Sequence, residues 1–336
     1  MKKIKVKTSK NVLKRINKTK KKYNKPDIRF CYSHDKNISH ISWDNQGDLI
    51  IDTLKTRQNW IFKKFNPDYV YDWVNGDYNE NSNNSTINNY FTGGSQAVCN
   101  KFSFYILLKP FHFIPETFLV DNNVDELLKS NHLFPNNFLL KTPTGNLANG
   151  ITLIKSKEDL IQNVKKDKKY VLQRIIPPKL YNNKKHDIRF YVILSYNIST
   201  INVYLFKHGY KRMCVNTYDE TYQTIVVNSN KNNEYCSIHC TQYPELNQII
   251  KDMFYGILKL NKKDIYQRGY HLFGVDFVES ADDKLWVLEC NDCPYIKDSR
   301  IKHTVKMLMN GIVNIMEALL LHEEVDDNNL IKVLTI

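Results

Sequence analysis

Residues 284–296, KLWVLECNDCPYI, begin as an apolar strand and then place two polar side chains where the apolar pattern would continue. Leu285 and Val287 are followed at the same two-residue spacing by Glu289 and Asn291. Side chains two residues apart share one face of a strand, so the sequence predicts that Glu289 and Asn291 extend the apolar face. Burying a carboxylate or an amide without a partner costs about 1 to 3 kcal/mol or more. Both side chains therefore need a partner on that face.

A second strand supplies such a partner. HLFGVDFV precedes the polar turn ESADDK, and LWVLECN follows it, which predicts an antiparallel hairpin. In the pairing that this turn favours, Asp276 lies beside Glu289 and Asn291, and Gly274 leaves open space next to them. Carboxylate and amide oxygens suit hard cations such as Mg²⁺, whose coordination is usually completed by substrate phosphates. The hairpin thus predicts a metal and a nucleotide opposite these side chains.

A charged face is predicted on the segment KKHDIRFYVILS, where Lys185, Asp187 and Arg189 alternate with apolar residues. The structural alternative is an exposed edge strand carrying a salt bridge, worth about 0.5 kcal/mol. Lys141, which ends FLLK, and Gln173, in YVLQRII, also interrupt apolar strands. Because these polar interruptions occur together, the sequence favours a single lined cleft.

Other elements follow from periodicity and capping. INVYLFKHGYKRMCV, residues 201–215, is predicted to be a hairpin, and residues 245–260 and 301–322 have the spacing of amphipathic helices. Ser156 with Asp159 predicts a capped helix start. The loop TPTGNLANG has two glycines but matches no phosphate-loop spacing.

The net charge of +13 is concentrated at the N-terminus. Residues 1–25 hold 12 of the 48 basic residues and no acidic ones, which leaves 36 basic and 35 acidic residues in the rest of the chain. Such a block predicts a disordered arm that attracts an anionic partner in a salt-sensitive manner. Nucleic acid is not the expected partner, because the body lacks a basic-aromatic groove. Without an apolar signal segment or a membrane span, the expected location is cytoplasmic.

The seven cysteines, an odd number, fit a reducing compartment. Cys236 and Cys240, with His239 between them, form with Cys290 and Cys293 an alternative zinc set. The sequence favours the magnesium site over this alternative.

The order of these segments resembles the tubulin-tyrosine ligase-like family of ATP-grasp enzymes, over about residues 90–300. YFTGGSQAVCNKFSFY places Lys101 like the lysine of a similar family segment, and FIPETFLV is similar to the family's Pro-x-Thr-Phe strand. FLLK resembles the strand that bears the family's nucleotide-contacting lysine, here Lys141. YLFKHGYKRM resembles the hairpin that places an arginine, here Arg212, near the transferring phosphate.

The resemblance implies roles for individual residues. The nucleotide site would comprise Lys101, Lys141, Gln173, Arg174, Ile176, Lys185, Asp187 and Asp276. The catalytic residues would be Lys185, Asp187, Arg189, Arg212 and Thr241. The metal ligands would be Asp276, Glu289 and Asn291, followed by the family's proline at Pro294.

This chain departs from the family pattern at two places. The family usually has His-Leu-Thr-Asn where this chain reads IHCTQ, so Thr241 matches and Gln242 replaces the asparagine. The glycine loop reads Asn149-Gly150, where the family often has a basic residue. Both departures affect the expected reaction rate, the choice of acceptor and the identity of the substrate amino acid more than they affect nucleotide binding.

The resemblance implies an α/β (α+β) ATP-grasp fold and a ligase that uses ATP and Mg²⁺. A carboxylate would be activated as an acyl phosphate and joined to an amine, between a free amino acid and tubulin or another acidic protein tail, with the ligase acting as a monomer. The implied parts are a basic tail at 1–26, an N-terminal α/β domain at 27–120, a central subdomain at 121–180 and a C-terminal subdomain at 181–336 with the metal site.

Two alternative functions remain open at this stage. LFGVDFV and NDCPYIK also resemble another ATP-grasp family, the inositol phosphate kinases, which lack the Lys-x-Asp-x-Arg strand. Gln242 and the altered glycine loop would suit a non-catalytic nucleotide-binding or scaffold protein, but all three metal ligands are present.

Overall fold

A computed structural model of the chain describes residues 27–33, 45–63, 69–72, 86–89, 91, 98, 100–121, 124–129, 137–145, 148–227, 233–259, 268–296 and 298–336. The predicted basic tail lies outside these residues. The strands are β1 (Ile28–Ser33), β2 (Trp60–Phe62), β3 (Tyr69–Asp72), β4 (Thr86–Asn88), β5 (Thr117–Val120), β6 (Phe138–Lys141), β7 (Ile151–Ile154), β8 (Tyr170–Arg174), β9 (Leu180–Tyr181), β10 (Lys184–Tyr196), β11 (Ile201–Phe206), β12 (His208–Met213), β13 (Glu234–His239), β14 (Gly269–Glu279), β15 (Leu285–Asn291) and β16 (Leu330–Thr335). The α-helices are α1 (Asn45–Lys55), α2 (Lys101–Leu108), α3 (Val124–Lys129), α4 (Lys157–Asn163), α5 (Tyr222–Ile225), α6 (Leu246–Lys259) and α7 (Lys302–Leu321).

The long strand β10 is the centre of the main sheet. It runs antiparallel to β14 on one edge, while β12 pairs with its first half and β11 with its second half on the other edge. The alternative of an exposed edge strand is therefore wrong, since β10 is buried along nearly its whole length. The hairpin predicted within residues 201–215 is also wrong. Tight hairpin turns need positive φ angles, none of residues 201–213 has one, and the chain continues along one edge of β10.

The two faces of β10 belong to different cores. Ile188, Phe190 and Val192 pack into a cluster with α2 and α6, whereas Tyr191 and Ile193 pack into a second cluster with α1 and α7. The alternation predicted for this strand follows from its two buried faces. Its charged residues precede Tyr191 on the second face and lie at the edge of that core.

The hairpin of β14 and β15 is confirmed, with Asp276 opposite Glu289 and Gly274 opposite Asn291. However, Phe277 pairs with Val287, so Leu288 is an extra residue that forms a β-bulge. The prediction that Glu289 and Asn291 share the face of Leu285 and Val287 is wrong for this reason. After the bulge, Cys290 joins Val287 in the apolar core.

The first part of the chain adds parallel strands to the main sheet. β1 pairs with β2 and β3, β3 pairs with β4, and β4 meets β14 where Asn88 lies opposite Gly269. Gly269 is required here, because a Cβ would collide with the carbonyl oxygen of Asn88. Helix α1 packs against α7 on one face of these strands.

A separate four-stranded antiparallel sheet has the order β5-β8-β6-β7. It covers a small core of its own around Val120, Phe138 and Leu172. The capping box predicted at Ser156 and Asp159 is present at the start of α4. Three of the four strands lie within the predicted central subdomain at 121–180, whereas β5 precedes that boundary.

The segment Ser299–Leu321, which includes α7, is long and apolar enough to cross a membrane by length and composition. Two-thirds of its most apolar window (67%) is buried against the rest of the protein, as expected of a core helix. The segment therefore gives only weak support for membrane association.

Candidate active site

A cavity of about 350 Å³ lies between the small sheet and the main sheet. The small sheet and the segment after it contribute apolar side chains, including Leu139, Ile151 and Ile176. The polar residues predicted for the site also line the cavity, and they come from both sheets and from α2. These are Lys101, Lys141, Gln173, Arg174, Lys185, Asp187, Arg189, Arg212, Asp276, Glu289 and Asn291.

Arg189 grips Asp276 on the neighbouring strand with a two-pronged contact. Its Nε donates to Oδ1 at 2.6 Å, and its Nη2 donates to Oδ2 at 2.5 Å. The two residues are directly opposite in the β10–β14 pairing, and both are buried. A salt bridge between Arg189 and Asp187, considered from the sequence, is wrong, because Asp187 instead lies 3.1 Å from the Nζ of Lys185.

Arg212 completes this buried charge network. Its Nη2 lies 3.6 Å from Oδ2 of Asp187 and 3.8 Å from Oδ2 of Asp276, which are long distances for ion pairs. Its Nε is buried and has no hydrogen-bond partner among the described residues. Burial of the guanidinium is outweighed by the carboxylate of Asp276, and the pKa of Arg212 is raised. A buried, charged donor without a partner fits an anionic group entering the cavity.

Lys101 links the metal-ligand candidate Glu289 to the glycine loop. Its Nζ lies 3.5 Å from Oε2 of Glu289 and donates to the carbonyl oxygen of Gly145 at 2.8 Å. Burial disfavours the charged carboxylate, but Lys101, Lys141 and Arg189 outweigh burial and lower the pKa of Glu289 to about 2. Glu289 is therefore ionised at neutral pH, as a metal ligand must be.

Lys141 and Gln173 meet across adjacent strands of the small sheet. The Nζ of Lys141 donates to Oε1 of Gln173 at 2.6 Å. Burial lowers the pKa of Lys141 to about 8. Arg174, the next residue on β8, is more exposed and lies 3.6 Å from Glu116.

The residues present fit a hard cation by their chemistry. Asp276 and Glu289 offer carboxylate oxygens and Asn291 an amide oxygen, and the Nδ2 of Asn291 donates to Oε1 of Glu289 at 3.3 Å. The fork of Arg189 uses about half of the lone pairs of Asp276, so both of its oxygens keep capacity for a metal. Among the described residues, no group of three or more His, Cys, Asp or Glu side chains is placed to hold a metal. The alternative zinc set has no support in that part of the chain.

The space predicted beside Gly274 is filled. A Cβ at this position would lie 2.8 Å from the Cβ of Pro294 and 3.4 Å from the Nε of Arg189. Gly274 therefore permits a close approach of the segment after β15, and Pro294 lines the cavity. The expectation of open space is wrong because the sequence does not show where that segment returns.

Thr241 lies outside the cavity lining. It belongs to the short 3₁₀ helix Cys240–Gln242, where its hydroxyl lies 2.8 Å from Nδ1 of His239. The predicted catalytic residue is thus not brought together with the charge network.

Several residues of the site were missed from the sequence. Tyr210 and Tyr235 line the cavity with ring centroids 5.1 Å apart, and Asp298 lines it beside them. Asp298 in turn holds Arg300, whose guanidinium carbon lies 4.1 Å from the ring centre of Tyr235. Arg212 on β12 pairs with Tyr235 on β13. A prediction of β13 from the sequence would therefore have placed Tyr235 beside Arg212 in the cavity, but β13 was not predicted.

A cleft between a mixed sheet and a small antiparallel sheet, lined by lysines and arginines around several carboxylates, is the arrangement of the ATP-grasp class. A sequence model of the tubulin-tyrosine ligase family matches residues 77–249, just over half of the chain. The chain therefore belongs to the tubulin-tyrosine ligase family. This membership places it among the ATP-dependent ligases and confirms the α/β ATP-grasp fold. A search of curated proteins found no match to the chain.

Proposed function

We propose that this protein is an ATP-dependent carboxylate–amine ligase that joins a free amino acid to a protein acceptor. A carboxylate oxygen attacks the γ-phosphorus of ATP and expels ADP, which gives an acyl phosphate. An amine nitrogen then attacks the acyl carbon, inorganic phosphate leaves and the nitrogen loses a proton. Such chemistry depends on alignment and charge stabilisation more than on an acid–base pair.

The buried network around Arg212 carries this proposal. Arg212 has a buried donor without a partner, beside the Arg189–Asp276 fork and the Lys185–Asp187 pair. In a site shielded from water, such preorganised charges stabilise a transferring phosphoryl group strongly.

The other residues take supporting roles in the proposal. Lys101 and Lys141 bind the nucleotide phosphates, and the apolar wall contacts the base. Asp276, Glu289 and Asn291 would hold Mg²⁺, which supplies positive charge beside the phosphates when bound. Thr241 does not line the cavity, so its catalytic role stays a prediction from the family resemblance.

The acceptor is proposed to be tubulin or another protein with an acidic tail. The basic N-terminal block would attract such a tail, because it holds nearly all of the net positive charge of the chain. The basic N-terminal block lies outside the described residues, so the support for this acceptor comes from the sequence alone.

The test compares the wild-type protein with Glu289→Gln, which removes one carboxylate and keeps its size. Both are incubated with Mg-ATP, labelled tyrosine, glutamate or glycine, and tubulin or a cell lysate, and the label is located by mass spectrometry. We expect ligation and ADP release by the wild type and at least a 10²-fold loss in the variant, because a metal ligand is missing. Equal ADP release by the two proteins would contradict the metal assignment, and no labelled product with any of the amino acids would contradict the ligase.

A further inference from the structure

A chain of three hydrogen bonds links Lys141 in the cavity to the bulge of β15 through Tyr105 on α2. Lys141 Nζ donates to Gln173 Oε1 at 2.6 Å, and Gln173 Nε2 donates to the hydroxyl of Tyr105 at 2.5 Å. The hydroxyl of Tyr105 donates to the carbonyl oxygen of Leu288 at 2.5 Å. Lys141, Gln173 and Leu288 line the cavity, whereas Tyr105 lies behind them and is 2% exposed.

The direction of this chain is fixed at its far end. Leu288 is the bulge residue of β15, and its carbonyl oxygen can only accept a hydrogen bond. The hydroxyl of Tyr105 therefore uses its single proton on that carbonyl, and its oxygen accepts from the next group. Only the NH₂ end of Gln173 can donate to it, so the carbonyl end of Gln173 must face Lys141.

The amide orientation bears directly on the charge of Lys141. Burial, together with the nearby charges of Lys101 on α2 and Lys185 on β10, lowers the pKa of Lys141 to about 8. Glu289 on β15 and Asp187 on β10 act in the opposite direction. With the pKa this close to neutrality, one charge-assisted hydrogen bond moves the balance by about one pKa unit.

We propose that Tyr105 is a positioning residue, which orients the amide of Gln173 so that Lys141 stays protonated in the nucleotide cavity. The role in nucleotide binding rests on the proposed function, but the control of the charge does not. Without the hydroxyl of Tyr105, the amide of Gln173 is free to turn its NH₂ group toward Lys141, which disfavours the ammonium form.

The first experiment measures the charge of Lys141 without nucleotide. The variant Tyr105→Phe removes one oxygen and keeps the ring, and Tyr196→Phe is the matched control, because Tyr196 is 3% exposed, packs in the same core and does not line the cavity. Competitive labelling of Lys141 with acetic anhydride, followed by mass spectrometry, gives its titration midpoint. We expect the midpoint to fall by about one pH unit in Tyr105→Phe and to stay unchanged in the control. An unchanged midpoint in Tyr105→Phe overturns the proposal.

The variant Gln173→Glu separates orientation from a general loss of packing. Both ends of a carboxylate accept hydrogen bonds, so its orientation no longer matters to Lys141. In that background, adding Tyr105→Phe should leave the midpoint of Lys141 within about 0.3 pH unit. A further fall of about one unit in the double variant would show that Tyr105 acts by another route and would overturn the proposal.

The second readout is the dissociation constant of Mg-ATP against pH. If protonated Lys141 binds the phosphates, Tyr105→Phe should weaken binding about tenfold at pH 9 and less than twofold at pH 6.5, relative to the wild type. A loss that is equal at both pH values would make Tyr105 merely structural and overturn the proposal. If the wild type binds no Mg-ATP while the midpoint of Lys141 still shifts, the proposed function fails and the control of its charge by Tyr105 is supported.

Discussion

At the scale of single residues, the site is organised by which carboxylate each cation holds. Arg189 reaches across to Asp276 on the next strand and not along its own strand to Asp187. Asp187 meets Lys185, which is two residues away on the same strand, whereas Arg189 meets the residue directly opposite it on the paired strand. Because long side chains make both kinds of contact, a charged pattern along one strand predicts which face is polar but not which partners meet.

The variant Arg189→Lys tests the importance of the fork. Lysine keeps the charge but contacts one carboxylate oxygen at a time, so the alignment of Asp276 is lost. We expect ligation to fall by about 10²-fold or more, and the free energy of unfolding to fall by about 1 to 3 kcal/mol, because the fork is buried. Ligation kinetics and urea unfolding measure the two effects.

Arg300→Lys is the matched control for this prediction. Arg300 forms the same kind of fork with Asp298, but its side chain is 41% exposed. We expect its replacement to change stability by under about 1 kcal/mol and to leave ligation within threefold. Wild-type ligation by Arg189→Lys would contradict a role of the fork in catalysis.

At the scale of elements, the β14–β15 hairpin shows what could be predicted from the sequence and what could not. The turn ESADDK specifies the antiparallel pairing, so Asp276 and Glu289 were correctly placed together. The bulge at Leu288 could not be predicted, because the letters LWVLECN alternate equally well without it. The position of the extra residue, Leu288, depends on how β15 pairs with β14 in the folded sheet. The same limit explains the wrong hairpin at 201–215, since β11 and β12 pair with β10 and not with each other.

The packing of Pro294 against the hairpin gives a prediction for Gly274→Ala. The added Cβ would lie 2.8 Å from the Cβ of Pro294, whose ring cannot rotate away. We expect the free energy of unfolding to fall by about 1 to 3 kcal/mol through overpacking. In the control Gly311→Ala, on α7, the nearest atom lies 3.4 Å from the new Cβ, so higher helix propensity should raise stability by up to about 1 kcal/mol. Urea unfolding measures the free energy of unfolding of both variants. Equal values for Gly274→Ala and Gly311→Ala would contradict the close approach of Pro294 to Gly274.

At the scale of the whole molecule, two features are considered: the charge of the N-terminal block, and the hydrogen bonds by which His271 joins separate parts of the chain. The body of the chain is nearly neutral, while residues 1–25 are strongly basic. Within the body, His271 on β14 joins the first part of the chain to the segment after β15. Its Nδ1 accepts from the backbone N–H of Phe91 at 2.9 Å, and its Nε2 donates to the carbonyl oxygen of Asp292 at 2.6 Å.

Deletion of residues 1–25 tests the contribution of the basic block to acceptor binding. We expect the KM for an acidic protein acceptor to rise and its salt dependence to flatten, with kcat little changed, because screening acts on long-range attraction and not on the cavity. Steady-state kinetics at several ionic strengths measure this. Replacement of the twelve basic residues by glutamine should reproduce the deletion, and an unchanged salt dependence would reject recruitment by the tail.

The joint at His271 predicts a loss of stability in acid. Burial lowers the pKa of His271, and a protonated ring would lose the hydrogen bond from Phe91, so the folded state holds the neutral form. In the unfolded chain the imidazole titrates near its ordinary pKa of about 6.5. Below that pH the unfolded state binds more protons, so the free energy of unfolding falls as the pH falls. Burial shifts the pKa of His186 in the same direction, so His186 contributes with the same sign.

The variant His271→Asn removes the titrating group and keeps an acceptor for Phe91. Its absolute stability will be lower, because a buried ring is lost. The informative quantity is the slope of the free energy of unfolding against pH between 6.5 and 5, which should become shallower by up to about 1.4 kcal/mol per pH unit. His186→Asn should reduce the slope as well. Urea unfolding at each pH gives these slopes, and a slope in His271→Asn as steep as in the wild type would show that acid acts elsewhere than at the joint between the first part of the chain and β14.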